Sequence, residues 1–244
     1  MSYGRDKNEV PYKVLAVIPA AGVGKRMGGA RPKQFFEISS TPIIVFSLIV
    51  LNNCDLIDEI IISTASSEIP SCRKDIVERY HLDKVTKVVE GGARRQDSVR
   101  LALEAAESNY DFVLIHDAVR PFLTNDLIES VFKAALKTGA ATAAVPVKET
   151  VKMVTKEGLV EKTLDRKSLR LIQTPQIFDF NVIFDAHQIA LNNDWDDVTD
   201  DAGMLERLGH PVEIVTGDER NIKITTPYDL QLAFFLSDTA SKTI

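Results

Sequence analysis

Cysteine is scarce in this sequence, and the two present lie far apart. Cys54 and Cys72 are separated by 17 residues and no C-x-x-C pair occurs, which argues against a zinc site or a disulfide framework. Both read as small buried hydrophobes in a reducing compartment. Positive charge is also in deficit. The 244 residues carry a net charge of −6, unlike the basic excess of a general nucleic-acid binder, although a local basic site can still take a small anion. No run of 18 apolar residues is present, so no membrane span is expected. The opening residues, MSYGRDKNEVPYK, are polar without an apolar core and do not read as a secretory signal. A cytoplasmic protein is therefore expected. There is no G-x-S-x-G elbow and no Cys–His arrangement suggested by position, which disfavours nucleophilic hydrolysis.

What the chain does have is an ordinary apolar content of 45%, enough for a sizeable core in one domain spanning residues 1–244. Strand-like runs at 14–18, 59–63, 85–89, 112–115, 141–147 and 212–215 alternate with helical patterns. Thr41 with Pro42 reads as the start of one helix and Asp97 or Ser98 as the cap of another. Thr124 opens a helix with an apolar stripe that Gly139 closes; Asp200 or Asp201 opens one closed by Gly209; Thr226 with Pro227 opens the last. Such alternation predicts an α/β fold with a mostly parallel sheet covered on both faces. Ligands in such folds sit at the carboxyl ends of strands.

One segment breaks the rhythm. Residues 148–165 alternate like strands around a turn at Glu157–Gly158, which predicts a projecting β-hairpin. A lone hairpin is marginal in water, so its apolar face needs cover, either from a second subunit or from its own domain.

The densest chemistry lies in VLAVIPAAGVGKRMGGARPK, residues 14–33. A buried strand ends at Pro19 and a small-residue loop follows, carrying Gly22, Gly24, Gly28 and Gly29 with Lys25, Arg26 and Lys33. Small residues let backbone N–H groups approach phosphate oxygens, and cations meet their charge. A solvated loop after a strand is the alternative. The loop is neither a Walker motif, since Lys25 is followed by Arg26, nor a dinucleotide fingerprint, since its glycines read G-x-G-x-x-x-G. Further candidates are EGGARRQDS (90–98), HDAVRP (116–121), Asp165-Arg166, TPQ (174–176) and NIKIT (221–225). Asp117 and Arg120 follow a strand and read either as ligand groups or as an intraloop ion pair. His116 reads as a base, a metal ligand or a hydrogen-bonded structural group. The acid cluster Asp194, Asp196, Asp197, Asp200, Asp201 fails the EF-hand template, with Thr199 at position six and Leu205 at position twelve.

Nine pieces in this order resemble the 2-C-methyl-D-erythritol 4-phosphate cytidylyltransferase family: PAAGVGKRMG, RPKQF, EGGARRQDSV, HDAVRPF, VKETVK, TLDR, TPQIF, VTDDAG and NIKIT. The resemblance implies a Rossmann-like three-layer fold and a homodimer built through the hairpin arm. It implies condensation of CTP with a polyol phosphate, with Mg²⁺ carried mainly by the CTP phosphates. It assigns Arg26, Lys33 and Lys223 to catalysis, and Ala20, Ala21, Gly22, Gly24, Gly92, Arg95 and Ser98 to CTP. Asp117, Arg120, Thr150, Arg166 and Thr174 fall to the second substrate, with Asp117 also a candidate metal helper. Thr150 and Arg166 resemble residues that the arm delivers to a neighbouring subunit. Ala93 departs from members with aspartate there, which removes a side-chain contact to the base. Ribitol 5-phosphate cytidylyltransferase is the nearest alternative; a non-catalytic nucleotide sensor and an NAD-dependent oxidoreductase are the more distant ones.

Overall fold

A strand with no polar side chain can be buried only between two layers of other elements, and β1 (Val14–Ala20) is such a strand. The computed structural model describes residues 12–22, 32–107 and 109–240. Gly24 and Arg26, with Lys25, Gly28 and Gly29, lie outside the described residues. After β1 come the short pair β2 (Glu37–Ile38) and β3 (Thr41–Pro42), then α1 (Ile43–Asn52) and β4 (Glu59–Thr64). Next are α2 (Ile69–Ser71), which runs on into a wider helical turn over Cys72–Glu78, then β5 (Val85–Glu90), α3 (Arg95–Glu104) and β6 (Phe112–Ile115). α4 (Asn125–Thr138), β7 (Ala140–Pro146), β8 (Lys152–Val154), β9 (Val160–Thr163) and β10 (Arg170–Asp179) follow. α5 (Phe180–Asn192), α6 (Asp201–Arg207), β11 (Glu213–Thr216) and α7 (Pro227–Ala240) complete the order.

The main sheet has seven strands in the order β11-β7-β10-β6-β1-β4-β5. It is mostly parallel, as expected, and β10 alone runs antiparallel to both its neighbours. β1 is shared between two cores. Val14, Ala16 and Ile18 face Leu48, Ile128 and Val131 on the side of α1 and α4. Leu15 and Val17 face Val99, Leu103, Ile183 and Met204 on the side of α3, α5 and α6. This is the three-layer, Rossmann-like α/β arrangement. Among the described residues no helix is long and apolar enough to cross a membrane.

Several local expectations need correction. β10 and α5 carried no strand or helix expectation. β10 hides its character behind buried polar residues, Gln173, Thr174 and Gln176, and behind Pro175 at a register shift. A proline lacks the N–H a ladder needs and is accommodated at such an irregularity. α1 begins after Pro42 with no side-chain cap, because Thr41 is paired in β3. α3 begins at Arg95, and Asp97 sits at its third position, where its carboxylate accepts from the Arg94 N–H at 3.1 Å. That placement satisfies a free backbone donor from inside the helix instead of from its cap. The caps at Thr124, Asp200 and Thr226 match their expected places.

The hairpin of β8 and β9 is a separate two-stranded sheet, turning at Gly158, whose φ of +83° suits glycine. Every residue of both strands is exposed, Val154 and Val160 among them, and so is Leu159.

Candidate active site

The chain leaves β1 toward β4 and β5, then returns to place β6 on the other side of β1. The connections after β1 and β6 therefore diverge, and a crevice opens between them at the carboxyl ends of the strands. Ala20, Ala21, Gly22, Lys33, Gly92, Arg95, Ser98, Asp117 and Lys223 line this crevice together. A second cavity beside it shares Arg95, Asp117 and Lys223 and adds Arg120, Thr174 and Gln176.

On one side of the crevice the β5–α3 connection lies tightly against the end of β1. The Gly91 N–H donates to the Thr64 carbonyl at 2.7 Å, and the Gly92 N–H donates to Ser98 Oγ at 3.1 Å. A Cβ on Gly91 would fall 2.5 Å from the Ala21 Cβ, and one on Gly92 would fall 2.3 Å from the Asp97 Cβ. Both glycines are thus required by close approach. Ser98 also donates to the Arg94 carbonyl at 3.1 Å, so its buried hydroxyl braces the loop from within. Gln34 donates to the Ala20 carbonyl and anchors the turn that carries Lys33 to the same place.

On the other side lies a cluster of charge. Asp117 Oδ1 accepts from Arg95 Nε at 2.8 Å, and Asp117 Oδ2 meets Lys223 Nζ at 2.8 Å. Arg120 Nε stands 3.7 Å from Asp117 Oδ2, so the intraloop pair exists but is the longest of the three. Burial alone raises the Asp117 carboxyl. The charges of Arg95, Lys223 and Arg120 outweigh it and hold the group well below the usual carboxylate range. The second end of Arg95 reaches Asp201 Oδ2 at 2.6 Å, and Asp201 Oδ1 is 3.2 Å from His187 Nε2. Burial works against the Arg95 proton, but Asp201 and Asp117 bind it more firmly than in a free arginine. The Arg120 guanidinium donates to the carbonyls of Asn221 at 2.7 Å and Ile172 at 3.3 Å.

Lys223 is not in a strand. It occupies an extended loop held down by Ile224, whose N–H donates to the Val119 carbonyl at 2.9 Å and whose side chain is buried against Val119 and Ala233. Its side chain keeps 40% of its exposure.

His116 is structural. The Asp117 N–H donates to Thr174 Oγ1 at 3.0 Å, Thr174 Oγ1 is 3.1 Å from His116 Nδ1, and His116 Nε2 is 3.0 Å from the Arg120 carbonyl. A carbonyl can only accept, so Nε2 carries the proton and Nδ1 accepts from Thr174. Burial pushes the imidazole down to about 4. The unfolded chain takes up this proton near pH 6.5 and the folded chain does not, so stability present at pH 7 is lost as pH falls from 6.5 toward 4. Urea unfolding should show about 3 kcal/mol of acid-side loss from this group. His116→Gln should remove about that share of the difference between pH 7 and pH 4.

Thr150 and Arg166 line neither cavity. Both are exposed at the arm, where Arg166 Nη1 donates to the Lys148 carbonyl at 2.6 Å. Asp201 and His187 carried no expectation beyond helix capping by Asp201. The pair Asp200-Asp201 held the clue: Asp200 does the capping, accepting from the Gly203 N–H at 3.2 Å, which leaves the second carboxylate in need of another partner.

The chain is similar to known proteins over nearly its whole length. The family model for 2-C-methyl-D-erythritol 4-phosphate cytidylyltransferase matches residues 14–238. The enzyme of that name from Syntrophus aciditrophicus is 46% identical over 221 residues, covering 91% of this chain and 94% of its own. That from Geobacter metallireducens is 46% identical over 223 residues, covering 90% and 95%. The crystal structure of 4-diphosphocytidyl-2C-methyl-D-erythritol synthase from Anaerococcus prevotii superposes with a TM-score of 0.81 at 30% identity, covering 93% of this chain and 99% of that one. The Thermus thermophilus cytidylyltransferase gives 0.75 at 31% identity, again covering 93% and 99%.

Proposed function

The chain belongs to the 2-C-methyl-D-erythritol 4-phosphate cytidylyltransferase family, and from that premise we propose how its crevice performs the reaction. The enzyme joins CTP to 2-C-methyl-D-erythritol 4-phosphate, giving 4-diphosphocytidyl-2-C-methyl-D-erythritol and pyrophosphate on the non-mevalonate route to isoprenoids. A phosphate monoester has a second pKa of about 6 and is already an anionic nucleophile at neutral pH. No general base is needed, in keeping with a His116 whose ring nitrogens are both engaged. The obstacle is repulsion between two anions, with charge building on the α-phosphorus oxygens and the leaving pyrophosphate. Fixed cations answer it through positioning and electrostatic stabilisation.

The observation that carries the assignment is the convergence of Lys33, Lys223 and the Asp117 cluster on the glycine-lined end of β1. CTP is assigned to Ala20, Ala21, Gly22, Gly24, Gly92 and Ser98. Lys33 and Arg26 meet the triphosphate, and Lys223 meets the reacting phosphates. Arg95 has two of its donors on carboxylates, so it acts on CTP through its field more than by direct grip. Arg120 and Thr174, in the adjoining cavity, face the methylerythritol phosphate. Thr150 and Arg166 serve a neighbour's crevice in a homodimer whose second subunit covers the exposed arm. The whole chain works as one nucleotidyltransferase domain, in a reducing cytoplasm that suits its two free, buried thiols.

Magnesium, when bound, neutralises phosphate charge. Among the described residues no group of three or more His, Cys, Asp or Glu side chains gathers to cage it, and both Asp117 oxygens are held by cations. The CTP phosphates are the proposed carriers of the ion, with Asp117 the carboxylate at the crevice that could assist them.

Pyrophosphate release with the two candidate acceptors tests the substrate. Methylerythritol phosphate should exceed ribitol 5-phosphate in kcat/KM by at least about 100-fold, because unmatched polar groups in a site are costly. Equal turnover would overturn the assignment.

A further inference from the structure

We propose that Asp201, outside the substrate crevice, is a positioning residue for the reaction: it holds Arg95 so that Asp117 keeps one carboxylate oxygen for Lys223. The inference rests on the role given to Lys223 above and adds what sets that ammonium in place.

A guanidinium beside a carboxylate tends to take both oxygens in a two-pronged fork. Arg95 does not do so with Asp117. Its Nε takes Asp117 Oδ1 at 2.8 Å, while Nη1 is drawn away to Asp201 Oδ2 at 2.6 Å. The oxygen left over, Asp117 Oδ2, is the one Lys223 occupies at 2.8 Å. Asp201 thus divides the Asp117 carboxylate between two cations.

Helix capping does not account for this buried carboxylate. Asp201 has no exposed surface, and burying a charge is costly unless it is paired. Helix capping at α6 is already performed by Asp200. His187, itself buried, holds the other oxygen of Asp201 at 3.2 Å and fixes its orientation. The chain of contacts therefore runs from the core of the α5–α6 layer to the crevice: His187, Asp201, Arg95, Asp117, Lys223.

The test is a double-mutant cycle on the full-length enzyme, read as steady-state kcat and KM for CTP. Asp201→Asn keeps the shape and removes the charge, so Arg95 is free to close on both Asp117 oxygens and displace Lys223. kcat should fall roughly 10- to 100-fold, with KM for CTP changed less than about threefold, as for a group that acts only on alignment. In a Lys223→Ala background the same change should cost less than about threefold, because residues acting through one another are not additive. Multiplicative losses would overturn the inference and leave Lys223 its role, as would an Asp201→Asn enzyme with normal kcat. Near-wild-type turnover of Lys223→Ala alone would instead remove the role of Lys223, and this inference with it. Should Asp201→Asn not fold, His187→Gln carries the same cycle: a loss of roughly three- to tenfold in kcat, absent from the Lys223→Ala background. A loss undiminished there would again overturn the inference.

Discussion

Lys223→Ala should lower kcat by about three orders of magnitude, equivalent to about 4 kcal/mol of transition-state stabilisation. The size follows from where the ammonium sits. It stands at the crevice with Asp117 as its anchor, and the Ile224–Val119 hydrogen bond fixes the backbone beneath it. Once two phosphates enter, water leaves and each charge counts for more than it does in solvent. The fold should survive, because the side chain is 40% exposed and Asp117 retains Arg95 and Arg120. Lys223→Arg should recover little, since a planar fork does not reproduce a compact point charge. Single-turnover pyrophosphate release, with thermal unfolding as a control, checks the result. A folded Lys223→Ala enzyme within tenfold of normal turnover would sink it.

The second large effect is complementation between subunits. Arg166→Ala alone should cost about 100-fold in kcat/KM, the scale of a lost charged contact to phosphate. Yet within its own chain Arg166 lies at the arm and lines neither cavity. If the arm reaches a twin's crevice, each site takes Lys223 from one chain and Arg166 from the other. Arg166→Ala and Lys223→Ala subunits, unfolded together and refolded as an equal mixture, then form mixed dimers half the time. Each mixed dimer has one intact site, so activity should return to about a quarter of wild type, the arithmetic of a two-fold interface. No recovery, with mixed dimers present by mass spectrometry, would place both residues in the same chain's site or nowhere near it.

Much of the frame is legible in the sequence. β1, β4, β5, β6, β7 and β11 each announce themselves by an apolar run ended by turn residues, and their ends fix where the crevice opens. β10 is hidden because its inner half buries Gln173, Thr174 and Gln176: Gln173 donates to the Asp218 carbonyl, Gln176 donates to Thr142 Oγ1, and the Thr174 carbonyl accepts from Asn221. Periodicity of apolar residues cannot detect a strand whose buried face is polar. The cations and carboxylates of the site are equally visible one by one. What sequence leaves undetermined is their pairing: Arg95 lies 22 positions from Asp117 and 106 from Asp201. Arg95 reads from sequence as a phosphate ligand, and the fold adds two carboxylates to its surroundings. Lys223, read in a β-like run, owes its place to tertiary packing of Ile224, which no local pattern encodes.

β10 leaves the arm at the exposed Arg170 and reaches the core at Phe178, passing Thr174 beside Asp117 on the way. At about 3.3 Å per residue, some 13 Å of continuous backbone separates the arm from that threonine. The strand is in effect a connecting rod: one end is set by whatever seats the arm, the other presents a hydroxyl to the backbone of the central carboxylate. Its register shift between Ile172 and Gln176 is the joint in that rod, placed at the point where it meets the site. Seating of the arm and placement of the Asp117 cluster thereby share a single piece of chain.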